Sequence, residues 1–328
     1  MTRNHTPPPP AEHLAAPETR RALRIQHVML CAARDHLAGL GFVELLPPVI
    51  GPVTDPGIRG AGQVDVDFYG RRYKLMTSAI LYKQASLLAF DRIFYLAPNV
   101  RLEPPETRET GRHLVEFHQL DVELAGADRD TAMAVAEGLV SAMVEAVARE
   151  ARDDLAALGR DPDTLAKSVA APYPRISHAE AVARLRGMGH PQAPDAEIDW
   201  EAERLLSERE TGPFFVVDYP KGSRGFYDRE SREHPGTLCN FDLIAGEGFG
   251  ELASGGEREH AHPDLIDRIR ESGEDPAAYG WYLELARTGI PSSAGFGIGV
   301  ERLVRYVTGL AAVWQVSAYP KLAGLHSP

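Results

Sequence analysis

Glycine at alternate positions 295, 297 and 299, running directly into a helical pattern, restricts this chain more than any other stretch. In the run Gly295-Phe296-Gly297-Ile298-Gly299-Val300-Glu301-Arg302-Leu303 the three glycines share one face of a strand. A strand with a bare face forfeits side-chain packing there, as happens where a flat ligand or another backbone must come close. The apolar spacing then becomes helical through Leu303, Val304 and Val307, and Gly309 ends it. Arg302 thus falls in the first helical turn, where backbone N–H groups attract anions and a guanidinium adds bidentate phosphate recognition. A glycine-rich strand-to-helix turn with an exposed arginine is the competing reading, and the spacing alone leaves both open.

Several classes of function are disfavoured by composition. A net charge of −12 over 328 residues argues against a surface built mainly for nucleic acid, although a local basic groove is compatible with it. Cys31 and Cys239 are too few for a disulfide framework or a cysteine zinc site. No segment reads as long and apolar enough to cross a membrane and there is no signal-peptide core, so the expected location is cytoplasmic. The length suits one large domain or two ordinary ones.

Residues 1–18, with Pro7-Pro8-Pro9-Pro10, read as a disordered tail ahead of a folded unit over 19–328. A helix is predicted from about Arg20 to Leu40, followed by an extended, proline-broken segment, Gly41–Ile50, that fits only an edge or an interface. Short strands are expected at Val64–Tyr69 and Arg72–Leu75. A helix capped by Thr77 or Ser78 should follow, with Lys83 and Gln84 on its solvated face. Arg92–Arg101 and Leu114–Leu124 read as strands joined by a long charged loop, Glu103–Arg112. On the second strand Phe117, Gln119, Asp121 and Glu123 share one face; a solvent-facing polar face and a polar ligand site are both open readings.

Asp128 is placed to cap a long helix from Thr131 to about Leu155, and residues 161–211 carry no chemical signal. Further strands are expected at Phe214–Tyr219 and in a hairpin over Asn240–Ala253, then helices at Pro263–Ser272 and Pro276–Thr288. Hairpins dominate the connections, so the predicted fold class is α+β, an antiparallel sheet flanked by helices. There is no Gly-x-Gly-x-x-Gly after the first strand and no Walker-type loop, so any phosphate binding must be built from arginines on strands.

Three stretches in fixed order carry a family resemblance. They are the Gly-Phe segment ending in prolines, Arg101-x-Glu103 with Arg112-His113 and Glu116-Phe117, and the closing Gly-x-Gly-x-Gly-x-x-Arg. Together they resemble motifs 1, 2 and 3 of the class II aminoacyl-tRNA synthetases, over roughly residues 22–325. The wording of Arg112–Glu123 points to the aspartyl/asparaginyl branch. Leu45–Pro48, Thr54-Asp55-Pro56, Ser78–Gln84, Phe226–Glu230 and Ser254–Glu259 look closer still to the archaeal-type asparagine synthetases, free-standing catalytic domains of that branch. Ile80, where aspartyl enzymes usually carry glutamine, sides with that group.

The resemblance implies a single catalytic domain that uses ATP and Mg²⁺, acts on aspartate and ammonia, and forms a homodimer through motif 1. Because motif 1 begins near Gly41, no anticodon-binding OB domain and no tRNA partner are expected. By the same resemblance, Arg101 and Arg302 are the catalytic phosphate-binding arginines. Glu103 and Phe117 hold adenine, while Arg112 and His113 reach the distal phosphates. Ser78, Lys83, Gln119, Asp121 and Arg258 grip aspartate, and Glu251, Asp242 and Ser254 hold the metal.

Two departures from the family pattern are Tyr319-Pro320-Lys321, where relatives often have Phe-Pro-Arg, and a long motif 2 loop, Pro104–Gly111. Two rival functions remain. One is an aspartate-activating ligase that uses another amine; the other is a silent ATP-binding paralogue.

Overall fold

The structure is a computed structural model, and the residues described are 6–58 and 60–325. Helices α1 (Pro10–Ala15) and α2 (Pro17–Gly39) precede the short strands β1 (Val43–Glu44) and β2 (Ile50–Gly51). The hairpin β3 (Asp65–Phe68) and β4 (Arg71–Leu75) leads into α3 (Ile80–Ser86). Strands β5 (Arg92–Val100) and β6 (Glu116–Ala125) follow, then helices α4 (Arg129–Glu150), α5 (Arg152–Ala157) and α6 (Pro162–Ser168). Next come β7 (Arg175–Ser177), α7 (His178–Gly187), α8 (Trp200–Ser207) and β8 (Phe214–Val217). The remainder is β9 (Asn240–Ala245), β10 (Gly250–Arg258), α9 (His262–Glu271), α10 (Gly280–Thr288), β11 (Ser293–Gly299) and α11 (Val300–Thr308).

Eight strands form one sheet in the order β1-β5-β6-β11-β10-β9-β8-β7. Its pairs are antiparallel except β1/β5 and β7/β8, at the two edges. The α+β expectation is thus met, and the proline-flanked segment after Gly41 supplies an edge strand, where missing N–H donors cost no ladder bonds. Strands β2, β4 and β3 form a separate small sheet.

One face of the large sheet is buried by helices. On α2, Ala22, Ile25, Met29, Ala33 and Leu37 recur at helical spacing and are nearly inaccessible. They pack in one cluster with Ala136, Val140 and Val144 of α4, with Leu120, Val122 and Leu124 of β6, and with Ala294, Phe296 and Ile298 of β11. Each large apolar side chain so buried contributes roughly 1.5–3 kcal/mol relative to exposure. With period 2 this leaves Gln119, Asp121 and Glu123, and the three glycines opposite them, on the other face.

Two expectations need correction here. Residues 10–18 are not a disordered tail; α1 starts on Pro10 at its first helical position, where the missing N–H is harmless, and α2 starts likewise on Pro17. His13 is buried against Trp314, and its Nε2 lies 2.8 Å from the Ser317 carbonyl oxygen, which ties the segment to the C-terminal region. Residues 1–5 lie outside the described residues. The second correction concerns α4, which is long and apolar enough by composition to cross a membrane. It is the central core helix, with 56% of its apolar window buried within the protein.

Candidate active site

The glycine face of β11 is bare because its neighbour's side chains fold over it. A Cβ on Gly297 would lie 2.6 Å from Oδ1 of Asp121, and one on Gly295 would collide with the Glu123 carboxylate. The glycines therefore make room for acidic side chains from β6, and Gly297 and Gly299 also line the open cavity above them. That cavity has a volume of about 950 Å³ and is bounded by β6, β10, β11, α3 and the loops after β2, β5 and β8.

Most of the residues singled out from sequence meet on its wall: Ser78, Lys83, Arg101, Glu103, Arg112 and His113, together with Phe117, Gln119, Asp121, Glu251, Ser254, Arg258 and Arg302. Asp242 lies just behind the wall, fully buried on β9.

Lys83 and Gln84 are not solvated, contrary to expectation. Lys83 Nζ donates to Asp121 Oδ1 at 3.0 Å and to the Phe296 carbonyl at 3.1 Å, and Glu123 Oε2 stands 3.6 Å away. The Gln84 amide donates to the Glu259 carbonyl at 3.0 Å and accepts from the Tyr282 hydroxyl at 2.6 Å. Burial is tolerable because every charge or dipole meets a counterpart. Arg258 is likewise paired: Nε lies 3.1 Å from Glu123 Oε1, and one terminal nitrogen lies 3.1 Å from Asp228 Oδ1. These carboxylates hold Arg258 protonated despite complete burial, while burial pushes the Asp228 carboxyl up. Asp121 Oδ2 is buried without a hydrogen-bond partner.

At the other end Arg101 donates from Nε to the Thr77 carbonyl at 3.0 Å, and its guanidinium lies 5.2 Å from the centre of the Phe117 ring. Arg302 reaches Glu251 at 3.2 Å and the Arg112 carbonyl at 3.4 Å. Arg112 is committed to Glu203 at 2.6 Å, both side chains being buried. His113 sits beside Thr110 at 2.7 Å. Burial and the nearby Arg302 and Arg112 charges push its pKa down to about 2, so it is a neutral hydrogen-bonding group throughout the physiological range.

Oxygen atoms of Glu203, Asp242 and Glu251 lie within 4.8 Å of one another, and Asp242 Oδ1 is buried without a hydrogen-bond partner. Such a carboxylate set with an orphaned oxygen suits a hard divalent cation. Ser254, expected in this group, lines the cavity and accepts from Arg224 at 3.1 Å. Sequence reading missed Glu203, Glu197 and Arg224. Only Glu203 left a signal, since it shares the buried side of α8 with Ala202 and Leu206.

His118, half-exposed on β6, lies 2.9 Å from Glu301, and this contact raises its pKa against the opposing effect of burial. A raised folded-state value means that the stabilisation is complete below the unfolded value near 6.5 and is lost as pH rises through the folded one. Unfolding titrations of His118→Gln should therefore lack the downward step that the parent shows on going alkaline of pH 6.5. Parallel curves for the two proteins would contradict the pairing.

A mostly antiparallel sheet, with the acids of β6 beside a glycine-faced strand and arginines on the cavity wall, is neither a dinucleotide-binding nor a P-loop fold. Residues 11–323 match the family model for tRNA synthetases class II (D, K and N), and the chain belongs to that family. It is 35% identical over 315 residues to the asparagine–tRNA ligase of Thermococcus gammatolerans, covering 94% of this chain and 70% of that one. The corresponding ligase of Chloroflexus aurantiacus is 34% identical over 306 residues, covering 91% of this chain and 68% of the relative. The crystal structure of asparaginyl-tRNA synthetase from Pyrococcus horikoshii complexed with asparaginyl-adenylate superposes with a TM-score of 0.92 at 33% identity, over 97% of this chain and 72% of that one. The protein is an AMP-forming ligase of this family, with the class II synthetase catalytic fold.

Proposed function

We propose that the protein converts aspartate and ATP to an aspartyl-adenylate and pyrophosphate, and that ammonia then attacks the adenylate to give asparagine and AMP. The observation that carries the substrate is the floor of the cavity. Two buried cations, Lys83 and Arg258, line it, and Lys83 is bonded to Asp121, whose Oδ2 has no hydrogen-bond partner. Cations suit the carboxylates of an amino dicarboxylate, and the open carboxylate oxygen suits its ammonium. For asparagine to be the product, the side-chain carboxylate is the one activated, so it must face Arg101 and the α-phosphate.

In this reading Phe117 and Glu103 hold the adenine, Arg101 neutralises the α-phosphate, and Arg302 leaves Glu251 for the distal phosphates. His113, uncharged, contributes hydrogen bonding there. Glu203, Glu251 and the open oxygen of Asp242 would hold magnesium, which supplies charge neutralisation on the phosphates when bound. The protein's own contribution is positioning and electrostatics, which dominate phosphoryl-transfer chemistry.

Exposed Leu40, Leu46 and Val49 along the motif 1 segment support a homodimer across that edge. We place the enzyme in the cytoplasm. A larger amine is the second reading, favoured by the continuation of the cavity past Arg258 to Lys221, Arg268 and Glu274.

The test is product analysis by mass spectrometry with ATP, Mg²⁺ and aspartate. AMP should form in step with asparagine only when ammonium is present. Because only free ammonia attacks, the rate at subsaturating ammonium should climb with pH until an enzyme group titrates. AMP formation rescued by another amine without asparagine would move the assignment to the second reading, and charging of added tRNA would overturn the proposal.

A further inference from the structure

Each carboxylate of the acidic cluster is already paired with an arginine: Glu203 with Arg112, Glu251 with Arg302, and Asp242 with Arg224. The three pairs are not equivalent. Arg302 is the most open of the three arginines, with a quarter of its side chain exposed, and it lies 3.2 Å from Glu251. Arg224, in the loop between β8 and β9, is 94% buried. One of its terminal nitrogens lies 2.6 Å from Asp242 Oδ2 and 2.8 Å from Glu197 Oε1, and the other donates to Ser254 Oγ at 3.1 Å. The face of the Tyr219 ring lies 4.0 Å beneath the guanidinium. Two carboxylates, a hydroxyl and a π face are what a cation asks of its surroundings.

We propose that Arg224 is a resident cation in the adenylation site, a fixed guanidinium seated on Asp242 and Ser254 where those oxygens would otherwise take a further divalent ion. Its place confines the metal to the side of the cluster formed by Glu203, Glu251 and Asp242 Oδ1, and keeps one positive charge at the phosphate end at every stage of turnover. The inference rests on the reading of the acidic cluster as a metal seat, but not on the identity of the acceptor. Arg302 can trade Glu251 for a phosphate when nucleotide arrives. Arg224 stays in place because leaving would strand the buried carboxylates of Asp242 and Glu197.

The experiment counts bound Mn²⁺ per protomer by electron paramagnetic resonance, with saturating ATP and no amino acid, so that no turnover enters the readout. Arg224→Met should bind one Mn²⁺ more than the parent, whereas Arg224→Lys, which keeps a cation on the seat, should bind the parental number. To guard against misfolding of the single variant, Arg224→Met/Glu197→Gln removes the cation together with one of its two carboxylates and preserves the buried charge balance. It too should gain one ion. A parental count in a folded, ATP-binding double variant overturns the proposal, as does a gain in Arg224→Lys. Failure of the parent to make asparagine would leave the count untouched and would count only against the proposed acceptor.

Discussion

Arg302→Ala is expected to lower aspartate-dependent ATP–pyrophosphate exchange by about a hundred- to a thousandfold, the usual cost of losing one donor aimed at developing charge. Arg101→Ala should do the same. The two arginines line the same cavity, Arg101 from just after β5 and Arg302 from the first turn of α11. Arg101 donates to a backbone carbonyl and lies over Phe117, and Arg302 contacts Glu251 and the Arg112 carbonyl. Each is thus held in place yet can be claimed by phosphate, and the gain appears only as charge builds on the transferring groups. The loss should fall on kcat as well as on kcat/KM. Exchange within a few-fold of the parent in either variant would remove that arginine from the phosphate site.

The second large effect is on stability. Arg258 is fully buried between Glu123 and Asp228, and Ser293 also donates to Glu123, at 2.8 Å. Arg258→Met takes the cation from the buried Asp228 and leaves Glu123 only the Lys83 ammonium, 3.6 Å away. Breaking a buried ion pair from one side costs about 3–5 kcal/mol, a large share of the roughly 5–15 kcal/mol that holds a typical protein folded. Denaturant unfolding should show that loss, with Arg258→Lys intermediate because it restores charge without the bidentate geometry. A loss under about 1 kcal/mol would mean that the carboxylates find another partner or protonate.

These two arginine roles, phosphate binding and structural neutralisation, look alike in sequence. Arg101, Arg112, Arg258 and Arg302 all stand in motif-like surroundings, yet Arg112 and Arg258 are buried against carboxylates while Arg302 keeps a quarter of its side chain exposed. What separates them is the partner each finds across the fold. Glu203 is 91 residues from Arg112, and Glu123 is 135 from Arg258.

Local periodicity alone determined a good deal. The helical spacing of Ala22, Ile25, Met29, Ala33 and Leu37 marks α2, and Asp128 caps α4 by accepting from Thr131 N. Alternation on β6 puts Gln119, Asp121 and Glu123 on one face, and alternating glycines on β11 mark the strand that lies beside them. Such features depend on residues within a turn or two of each other, so chain order is enough to read them. Only the tertiary structure decided that Lys83 and Gln84 are buried, that the bare glycine face receives acidic side chains, and that Glu203, Asp242, Glu251 and Arg224 share one end of the cavity. Burial of a charge is set by the partners that distant segments bring to it, and no local spacing encodes which carboxylate will meet which guanidinium.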